Sequence, residues 1–198
     1  MQRIISPDTK RANRLPPGQV LTEKFPVMHH GPVQKIDPGK WAFKIHGLVK
    51  KERILDFKEF SALPRLEVFA DIHCVTTWSR YNNLWEGVSS AVIKDLVEIK
   101  PEAKYVMVEG YGGFTTNLSV ADFFLEDVVF ALKYNGDPIT AEHGGPVRFV
   151  VPQLYFWKSA KWPNSLRFMA EDAPGFWEGN GYHMHGDPWT EERYGGRW

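Results

Sequence analysis

The sequence has a single cysteine, Cys74, in 198 residues. One cysteine excludes an internal disulfide scaffold, an iron–sulfur cluster held by this chain alone and a paired-cysteine haem attachment site. The 24 basic and 24 acidic residues cancel, so the chain has no overall attraction to nucleic acid or to an anionic membrane surface. Its apolar runs are too short to span a membrane. A dinucleotide-binding fingerprint, a P-loop and a His-Glu-x-x-His motif are also absent.

The first 24 residues differ in character from the rest of the chain. They contain five basic residues against two acidic ones, and Pro7, Pro16 and Pro17 interrupt them. This composition predicts an irregular N-terminal arm over residues 1–24. The arm lacks the apolar segment of a secretory signal, which favours a cytoplasmic protein. Residues 25–198 are expected to form one domain that ends in a tail rich in tryptophan and glycine.

Short strand-like segments dominate the remaining sequence. Strands are predicted at residues 41–47, 66–75, 104–111, 146–156 and 166–170, and a hairpin turn at Asn135-Gly136. Short helices, each with a capping residue at its start, are predicted at residues 56–63, 91–99 and 120–128. We therefore predict an α+β fold with a mixed, mostly antiparallel sheet.

The cysteine lies in the segment HCVTTWSR, residues 73–80, directly after a predicted strand. A lone cysteine is most often buried and inert, and packs as a small hydrophobic residue. Here Thr76, Thr77, Ser79 and Arg80 follow, and hydroxyl donors beside a cation can lower the pKa of a thiol. Both a structural cysteine and a reactive thiolate, acting as nucleophile or metal ligand, are compatible with this segment.

A second candidate site combines basic residues with glycine and serine. Arg148, Lys158 and Lys161 offer cations to an anion such as a phosphate, and Ser159 adds a hydroxyl group. The glycines before Arg148 would let the backbone approach a ligand closely. The same pattern also fits an exposed strand with lysines lying beside aromatic residues. A nucleotide, another phosphate-bearing cofactor and no ligand at all stay open at this point.

The tail contains two histidines among its aromatic residues. His183 and His185 share one face if their segment is a strand, and with Cys74 they could be imagined as a zinc site. Structural zinc sites usually draw on close pairs of ligands, and a second close pair is not evident. An aromatic cap over an active-site mouth, or plain packing at the C-terminus, is favoured instead.

Two of these segments together resemble the sulfite oxidase family. Residues 73–80, followed by LWEGV at 84–88, resemble the family's molybdenum-binding cysteine segment. HGGPVR at 143–148, VVP at 150–152 and WKSAK at 157–161 are similar to its second pterin-binding segment. Their order and spacing also match those of the family.

The resemblance extends from about Thr22 to Met169 and continues in the tail. Tail motifs resemble those of short, stand-alone members: GFWE at 175–178, GYH at 181–183 and GDPW at 186–189. The most similar type is the catalytic subunit of the periplasmic methionine sulfoxide reductases. Animal sulfite oxidases carry haem and dimerisation domains that this chain lacks.

This resemblance implies a sulfite oxidase-type α+β fold that binds molybdenum on one molybdopterin. In the family a cysteine thiolate is a direct molybdenum ligand, and this role falls on Cys74; we take Arg80 as a second catalytic residue. Phe25 and His143 stand where asparagine is common in the periplasmic members. The cofactor contacts fall on Cys74 itself and, position by position, on Met28, His29, His143, Arg148, Ser159, Ala160 and Lys161.

We therefore predict a molybdenum-cofactor-dependent oxidoreductase that transfers an oxygen atom to or from a small or peptide-borne substrate. The resemblance implies a sulfur-containing substrate, because members of the family usually act on sulfur compounds. Molybdenum accepts soft sulfur ligands, so one thiolate and a pterin dithiolene suffice. The chain has no haem or cluster ligands, so an external electron-transfer protein is expected to dock on the N-terminal arm or the tail. The alternatives are a thiol-dependent enzyme, with Cys74 as nucleophile and His73 or His143 as base, and a non-catalytic binding module.

Overall fold

The computed structural model describes residues 1–195. Trp198, which the predicted tail includes, lies outside the described residues. The strands are β1 Arg3–Ile5, β2 Val20–Leu21, β3 Ala42–Gly47, β4 Arg53–Asp56, β5 Arg65–His73, β6 Trp78–Ser89, β7 Tyr105–Gly110, β8 Thr115–Ser119, β9 Val129–Tyr134, β10 Asp137–Pro138, β11 Arg148–Val150 and β12 Pro163–Met169. The α-helices are α1 Phe57–Ser61, α2 Ile93–Leu96, α3 Val120–Phe123 and α4 Phe176–Gly179. Short 3₁₀ turns lie at Pro7–Lys10, Pro38–Lys40, Ser90–Val92, Ala141–His143 and Phe156–Lys158.

Two sheets form the fold. The larger has the order β1-β5-β6-β9-β10, with β2 also paired to β6 and β11 also paired to β9; the smaller has the order β4-β3-β12-β7-β8. Only the β1–β5, β2–β6 and β3–β12 pairs are parallel among the described strand pairs. The predicted α+β class with a mixed, mostly antiparallel sheet is therefore confirmed.

Local sequence signals account for several elements. In α1, the Asp56 side chain accepts from the Glu59 amide while the Glu59 carboxylate accepts from the Asp56 amide, which forms a complete capping box. Asn135 and Gly136 both have positive φ, at 50° and 92°, and join β9 to β10 as the hairpin signal predicts. These predictions depend on neighbouring residues alone, and the structure confirms them.

The structure differs from the sequence prediction in the longest strand. β6 runs for 12 residues from Trp78 to Ser89, in a stretch where the sequence predicts no strand. It contains Asn82, whose φ is 61°. A register shift also interrupts its pairing with β5 and its pairing with β9. These irregularities break the two-residue alternation that would reveal a strand.

Predicted helices are shorter in the structure. The segment 120–128 is helical only as far as Phe123. Beyond it the backbone forms turns, in which the Leu125 amide donates to the Asp122 carbonyl and the Val128 amide donates to the Leu125 carbonyl. The segment 91–99 contains a 3₁₀ turn and then α2, because Val97 is already extended with φ −140° and ψ 143°.

The N-terminal arm is not irregular throughout. β1 pairs with the edge of β5, and β2 pairs with the start of β6. Between them, Asp8 is buried at 2% exposure. A strand of two or three residues is too short for sequence periodicity to reveal, so the correction comes from tertiary pairing. The division into an arm and one domain stays a prediction.

The main hydrophobic core lies between the two sheets. Phe43, Val106 and Leu166 from the smaller sheet belong to the same buried cluster as Phe130 and Phe149 from the larger one. A second cluster, which includes Val68, Ile72, Trp85 and Val150, covers the other face of the larger sheet. Its outer layer contains Phe25 and Trp78, and this layer leads to the functional site.

Candidate functional site

Cys74 lies in the tight turn between β5 and β6. Its amide donates to the Trp78 carbonyl at 2.8 Å, and its own carbonyl accepts from the Thr77 amide at 3.0 Å. Thr77 has a φ of 74°, an unusual value for a β-branched residue. This turn, residues 74–77, is called the Cys74 loop below. It confirms the expectation that the thiol stands where a strand ends.

The Cys74 side chain faces a cavity of about 440 Å³. Thr76 Oγ1 lies 3.1 Å from Cys74 Sγ and also donates to Met28 Sδ at 3.6 Å. Aromatic side chains make up much of the wall: Phe25, Trp78, Phe156, Trp157, Trp177 and Tyr182. A smaller space of about 90 Å³, which shares Met28, His29, Arg148 and Lys161 as lining residues, extends toward Ser159 and Trp162.

The cavity wall is positively charged. Arg148 and Lys161 line it, and none of its described lining residues is Asp or Glu. The backbones of these two residues form an antiparallel bridge, which brings the two cations to one side. Arg148 Nη1 donates to the His143 carbonyl at 2.8 Å, whereas its buried Nε has no hydrogen-bond partner within residues 1–195. A buried donor without a partner is costly, and an anion in the cavity would satisfy it.

The pKa shifts reflect this uncompensated charge. Burial lowers the pKa of Arg148 to about 9. Burial and then the charge of Arg148 lower the pKa of Lys161 to about 7. Burial also raises the pKa of the Cys74 thiol, while the hydrogen bond with Thr76 and the charge of Arg148 act in the opposite direction. The two cations therefore lie where none of the lining residues is an acidic counter-ion.

Three of the predicted cofactor contacts lie behind or beside this wall. Ser159 Oγ accepts from the Val151 amide at 3.0 Å and lines the smaller space. Ala160 is buried at 1% exposure. His143 stacks on Phe25 with ring centroids 4.1 Å apart and an angle of 18°, and its Nδ1 is buried without a partner in the described part of the chain.

Gly144, in the turn between His143 and β11, packs against a side chain of the site. It has a φ of 106°, and a Cβ there would lie 3.0 Å from the Lys161 side chain. The Lys161 ammonium donates to the Glu142 carbonyl at 2.5 Å. The close neighbour of Gly144 is thus the Lys161 side chain, which this contact holds beside the cavity, and the predicted close approach of a ligand stays a prediction.

The structure separates Arg80 and Lys158 from the cavity. Arg80 donates to Asn83 Oδ1, to the Tyr134 hydroxyl group and to the Glu23 carbonyl. It is not among the described residues that line the cavity. Lys158 points away, into a buried ion pair with Glu178. The sequence prediction that Lys158 binds an anion is therefore wrong, because Glu178, Asn117 and the Met184 carbonyl already bind its ammonium group.

The predicted histidine pair has other partners. His185 Nδ1 lies 2.8 Å from Glu192 Oε2, and its Nε2 lies 3.6 Å from Asp122 Oδ2. His183 Nδ1 lies 3.4 Å from the same Glu192 oxygen. Among residues 1–195, no group of three or more His, Cys, Asp and Glu side chains is arranged to hold a metal ion. The two histidines are therefore paired with carboxylates and form no metal-binding group with Cys74 among the described residues.

Sequence reasoning missed specific residues of the aromatic wall. Trp177 and Tyr182 stack with ring centroids 5.0 Å apart, and Tyr182 also packs edge-on against Trp157. The interpretation of the tail as an aromatic cap over an active-site mouth agrees with these contacts. The sequence does not show which tryptophan or tyrosine lines a cavity, because both residue types are also often buried in hydrophobic cores.

A soft thiol donor, the buried Arg148 and the half-buried Lys161 without acidic partners among the lining residues, and an orphaned guanidinium nitrogen fit a cofactor that combines a soft metal with an anionic group. These features define a cofactor-binding domain. Residues 30–177 match the family described as "Oxidoreductase molybdopterin binding domain", and the chain belongs to this family. It is a molybdopterin-dependent oxidoreductase of the sulfite oxidase type, and its cofactor is molybdenum on molybdopterin.

Named relatives support the same family. The chain is 48% identical over 185 residues to the uncharacterized oxidoreductase YuiH of Bacillus subtilis, with 93% of each chain covered. It is 27% identical to a putative protein-methionine-sulfoxide reductase subunit YedZ1 of Azospira oryzae, over 86% of this chain and 66% of that one. It is 27% identical to the sulfite oxidase of Arabidopsis thaliana, over 87% of this chain and 55% of that one.

The fold is also similar to a solved structure. The sulfane dehydrogenase SoxCD from Paracoccus pantotrophus matches with a TM-score of 0.67 and 23% identity, over 72% of this chain and 41% of that chain. The sulfite oxidase-type fold is therefore confirmed. No helix within residues 1–195 is long and apolar enough to cross a membrane.

Proposed function

We propose that the chain transfers an oxygen atom to or from a neutral, sulfur-containing substrate at a molybdenum centre held by Cys74. When bound, the cofactor supplies two-electron oxygen-atom chemistry. The observation that carries the proposal is the pairing of the Cys74 thiol with a wall whose two cations, Arg148 and Lys161, have no acidic partner among the lining residues.

Arg148 and Lys161 are assigned to the pterin phosphate. The Nη1 and Nη2 groups of Arg148 bind the His143 and Ser159 carbonyls, so its Nε is the donor left for the phosphate. The Lys161 ammonium offers a point charge beside it. Met28, His29 and Ser159 line the same spaces, which supports their predicted contacts with the cofactor. His143 and Ala160 would act through Phe25 and through the backbone of the turn rather than by facing the cavity.

The substrate class follows from how charge is distributed in the cavity. Around Cys74 the lining side chains are uncharged: Val75, Thr76, Trp78, Trp157, Trp177 and Tyr182. If both cations are committed to the phosphate, this part favours a neutral substrate, such as a sulfoxide, over sulfite or nitrate. The name of the relative from Azospira oryzae is consistent with a peptide-borne methionine sulfoxide. The aromatic walls would also exclude water from the reacting atoms.

The thiol-enzyme alternative lacks a base. His73 is completely buried, its Nδ1 lies 2.8 Å from Ser79 Oγ, and burial lowers its pKa to about 4. His143 stacks on Phe25, and burial with the nearby Arg148 charge lowers its pKa to about 4 as well. Neither histidine has a hydrogen bond to Cys74 Sγ among the described contacts.

The test uses the purified full chain, loaded with cofactor. Metal and pterin analysis should find molybdenum and molybdopterin, and a reduced viologen dye should drive reduction of methionine sulfoxide. Sulfite, assayed with an oxidising dye, should react far more slowly. Rapid sulfite oxidation together with sulfoxide inertness would contradict the neutral-substrate assignment, whereas absence of molybdenum would contradict the Cys74 assignment.

The two electrons of this reaction must be supplied by a partner when the substrate is reduced and passed to one when it is oxidised, because the only cysteine in the sequence is already assigned to the metal. We infer a separate electron-transfer protein that docks transiently. Turnover that stalls without an added one-electron donor or acceptor supports this inference, and a haem or flavin spectrum in the isolated chain would contradict it. The cytoplasmic location stays a prediction, which cell fractionation would test.

A further inference from the structure

We propose that Gln19 and Arg193, from opposite ends of the chain, are positioning residues that hold the Cys74 loop in the conformation that presents its thiol to the cavity. The inference rests on the proposed role of Cys74 as the metal ligand. Neither residue lies within 30–177, the part of the chain that matches the family. The loop would thus depend on segments that the shared domain does not contain.

The loop's carbonyl groups provide the first observation. Three of the four carbonyls in residues 74–77 accept a hydrogen bond from outside the β5–β6 hairpin. The Cys74 carbonyl accepts from Gln19 Nε2 at 3.1 Å, and the Val75 carbonyl accepts from Arg193 Nη1 at 2.7 Å. The Thr77 carbonyl accepts from the Val20 amide at 2.8 Å. Both chain ends therefore bind the turn directly.

Arg193 connects the loop to the N-terminal segment. While Nη1 binds the Val75 carbonyl, Nη2 donates to the Pro17 carbonyl at 3.2 Å. The guanidinium lies 5.1 Å from the centre of the Tyr155 ring, and the Arg193 side chain is only 14% exposed. A planar guanidinium holds its donors in a fixed geometry that serves these two carbonyls at once, whereas the flexible lysine ammonium does not hold two donors in these fixed positions.

Gln19 holds the loop from the other side. It is 7% exposed, and its Oε1 accepts from Ser79 Oγ at 3.3 Å while its Nε2 binds the loop. Gly18 beside it has a φ of 67°, and a Cβ there would lie 3.0 Å from Arg193 Nη2. The two terminal segments are therefore in contact at the point where each reaches the loop.

The loop needs such support because its own bonds are few. Within the hairpin, the Cys74 amide binds the Trp78 carbonyl and the Thr77 amide binds the Cys74 carbonyl. Thr77 occupies the left-handed region, which a β-branched residue adopts only when its surroundings enforce it. Removing a terminal donor should let the loop relax while the strands on either side stay paired.

The experiment compares Arg193→Ala, Arg193→Lys and Gln19→Ala in the full chain, with Arg167→Ala as a matched control. Arg167 is a surface residue, 45% exposed, whose Nε lies 3.4 Å from Glu109 Oε1. Hydrogen exchange of the Cys74 and Thr77 amides is measured in cofactor-free protein. In cofactor-loaded protein, the energy of the thiolate-to-molybdenum charge-transfer band is recorded.

We expect exchange at these two amides to become at least about tenfold faster in Arg193→Ala and Gln19→Ala, because each change removes a hydrogen bond to the loop. Arg193→Lys should fall between Arg193→Ala and wild type, and Arg167→Ala should match wild type. The charge-transfer band should shift in the same order. A role in general stability alone would instead speed exchange across the whole chain and leave the band in place.

Unchanged loop exchange in both alanine variants, or acceleration that is uniform over the chain, would overturn the inference. The exchange measurement does not depend on molybdenum. If wild-type protein binds no molybdenum but the loop amides respond as expected, the proposed function fails while the positioning by the two chain ends stands. If molybdenum is present and the band is the same in all variants, the positioning role fails while the proposed function stands.

Discussion

Lys158 Nζ lies 2.6 Å from Glu178 Oε1, and both side chains are completely buried. The ammonium also donates to the Asn117 carbonyl, to Asn117 Oδ1 and to the Met184 carbonyl. Glu178 Oε1 accepts from Trp157 Nε1 at 2.9 Å as well. The pair therefore ties α4 and the tail to the turn that carries Ser159, and it sits behind the aromatic wall of the cavity.

Breaking this pair should destabilise the protein strongly. Glu178→Gln leaves the Lys158 charge buried without compensation, and we expect a loss of about 3 kcal/mol in the free energy of unfolding. Lys158→Met combined with Glu178→Gln should cost less than Glu178→Gln alone, because no charge then stays buried. Urea unfolding of the cofactor-free chain measures both effects.

The surface pair Lys50–Glu98 provides the control for this prediction. Its atoms are also 2.6 Å apart, but its side chains are 65% and 66% exposed. Glu98→Gln should cost less than about 1 kcal/mol, because solvent screens the pair. Equal losses in Glu98→Gln and Glu178→Gln would show that burial of the Lys158–Glu178 pair has no energetic consequence.

Lys158 also shows where sequence reasoning ends. The spacing of WKSAK identified the right turn, and Lys161 does line the cavity, but nothing in the sequence says which lysine faces inward. The 3₁₀ turn Phe156–Lys158 decides this by directing the Lys158 side chain to Glu178. Arg80 illustrates the same limit, because its partners Asn83 and Tyr134 come from β6 and β9.

Local signals predicted the parts of the fold that depend on near neighbours. The capping box of α1 and the Asn135-Gly136 turn are complete within four residues, so their chemistry is readable in the sequence. The parallel pairing of β1 with β5 and the pairing of β6 with β9 join strands that are far apart in the chain. Similarly, the sequence identifies Cys74 as the candidate ligand. The contacts of Gln19 and Arg193 with the Cys74 loop could not be predicted, because they form only when the two chain ends come together in the fold.

Cys74→Ser should remove activity and molybdenum while the fold persists. A serine oxygen is a harder and poorer ligand for molybdenum than a thiolate. Residues that merely support a metal ligand cost about 10–100-fold when lost, so losing the ligand itself should exceed that range. Metal content and dye-linked turnover measure the loss, and near-ultraviolet circular dichroism checks the fold. Activity close to wild type would refute the ligand assignment.

Arg148→Ala and Lys161→Ala should each reduce cofactor retention, and the double variant should retain least. Each cation would bind the pterin phosphate in a partly dry site, where a hydrogen bond to a charged group contributes about 1.5–3 kcal/mol. Molybdenum and pterin content after gel filtration measures retention, with Arg167→Ala as the surface control. Unchanged content in the double variant would count against the assignment.

Sulfate binding to the cofactor-free chain should weaken as the pH rises. Sulfate stays a dianion between pH 6 and 8, while Lys161, whose pKa burial lowers to about 7, loses its charge over the same range. If binding needs the charged lysine, affinity should fall about tenfold from pH 6 to pH 8. His143, with a pKa of about 4, stays neutral throughout. Calorimetric titration at constant ionic strength measures the affinity.

Lys161→Arg serves as the control for the sulfate prediction, because arginine keeps its charge over this pH range. In that variant the affinity for sulfate should be nearly independent of pH. A wild-type affinity that is equally flat would show that Lys161 does not bind the anion.

Stability should also depend on pH through His185. The Asp122 carboxylate, 3.6 Å from its Nε2, and then the hydrogen bond with Glu192 raise its pKa to about 9, above its ordinary value of 6.5. A folded-state pKa that is raised stabilises the protein fully below about pH 6.5, and the contribution disappears as the pH rises to about 9. His185→Gln should therefore lower the melting temperature at pH 6 and have little effect at pH 10.

His46 makes this last prediction sharper, because its shift has the opposite sign. Burial, and then the charge of Lys44, lower the pKa of His46, so its protonation favours unfolding. His46→Gln should therefore raise the melting temperature at pH 5 and leave it nearly unchanged at pH 8.

Because the His185 side chain is 46% exposed, solvent screening limits the size of its effect on stability, and the test therefore depends on the sign of the change in melting temperature. A His185→Gln difference that grows from pH 6 to pH 10 would contradict the proposed ion pairs with Asp122 and Glu192.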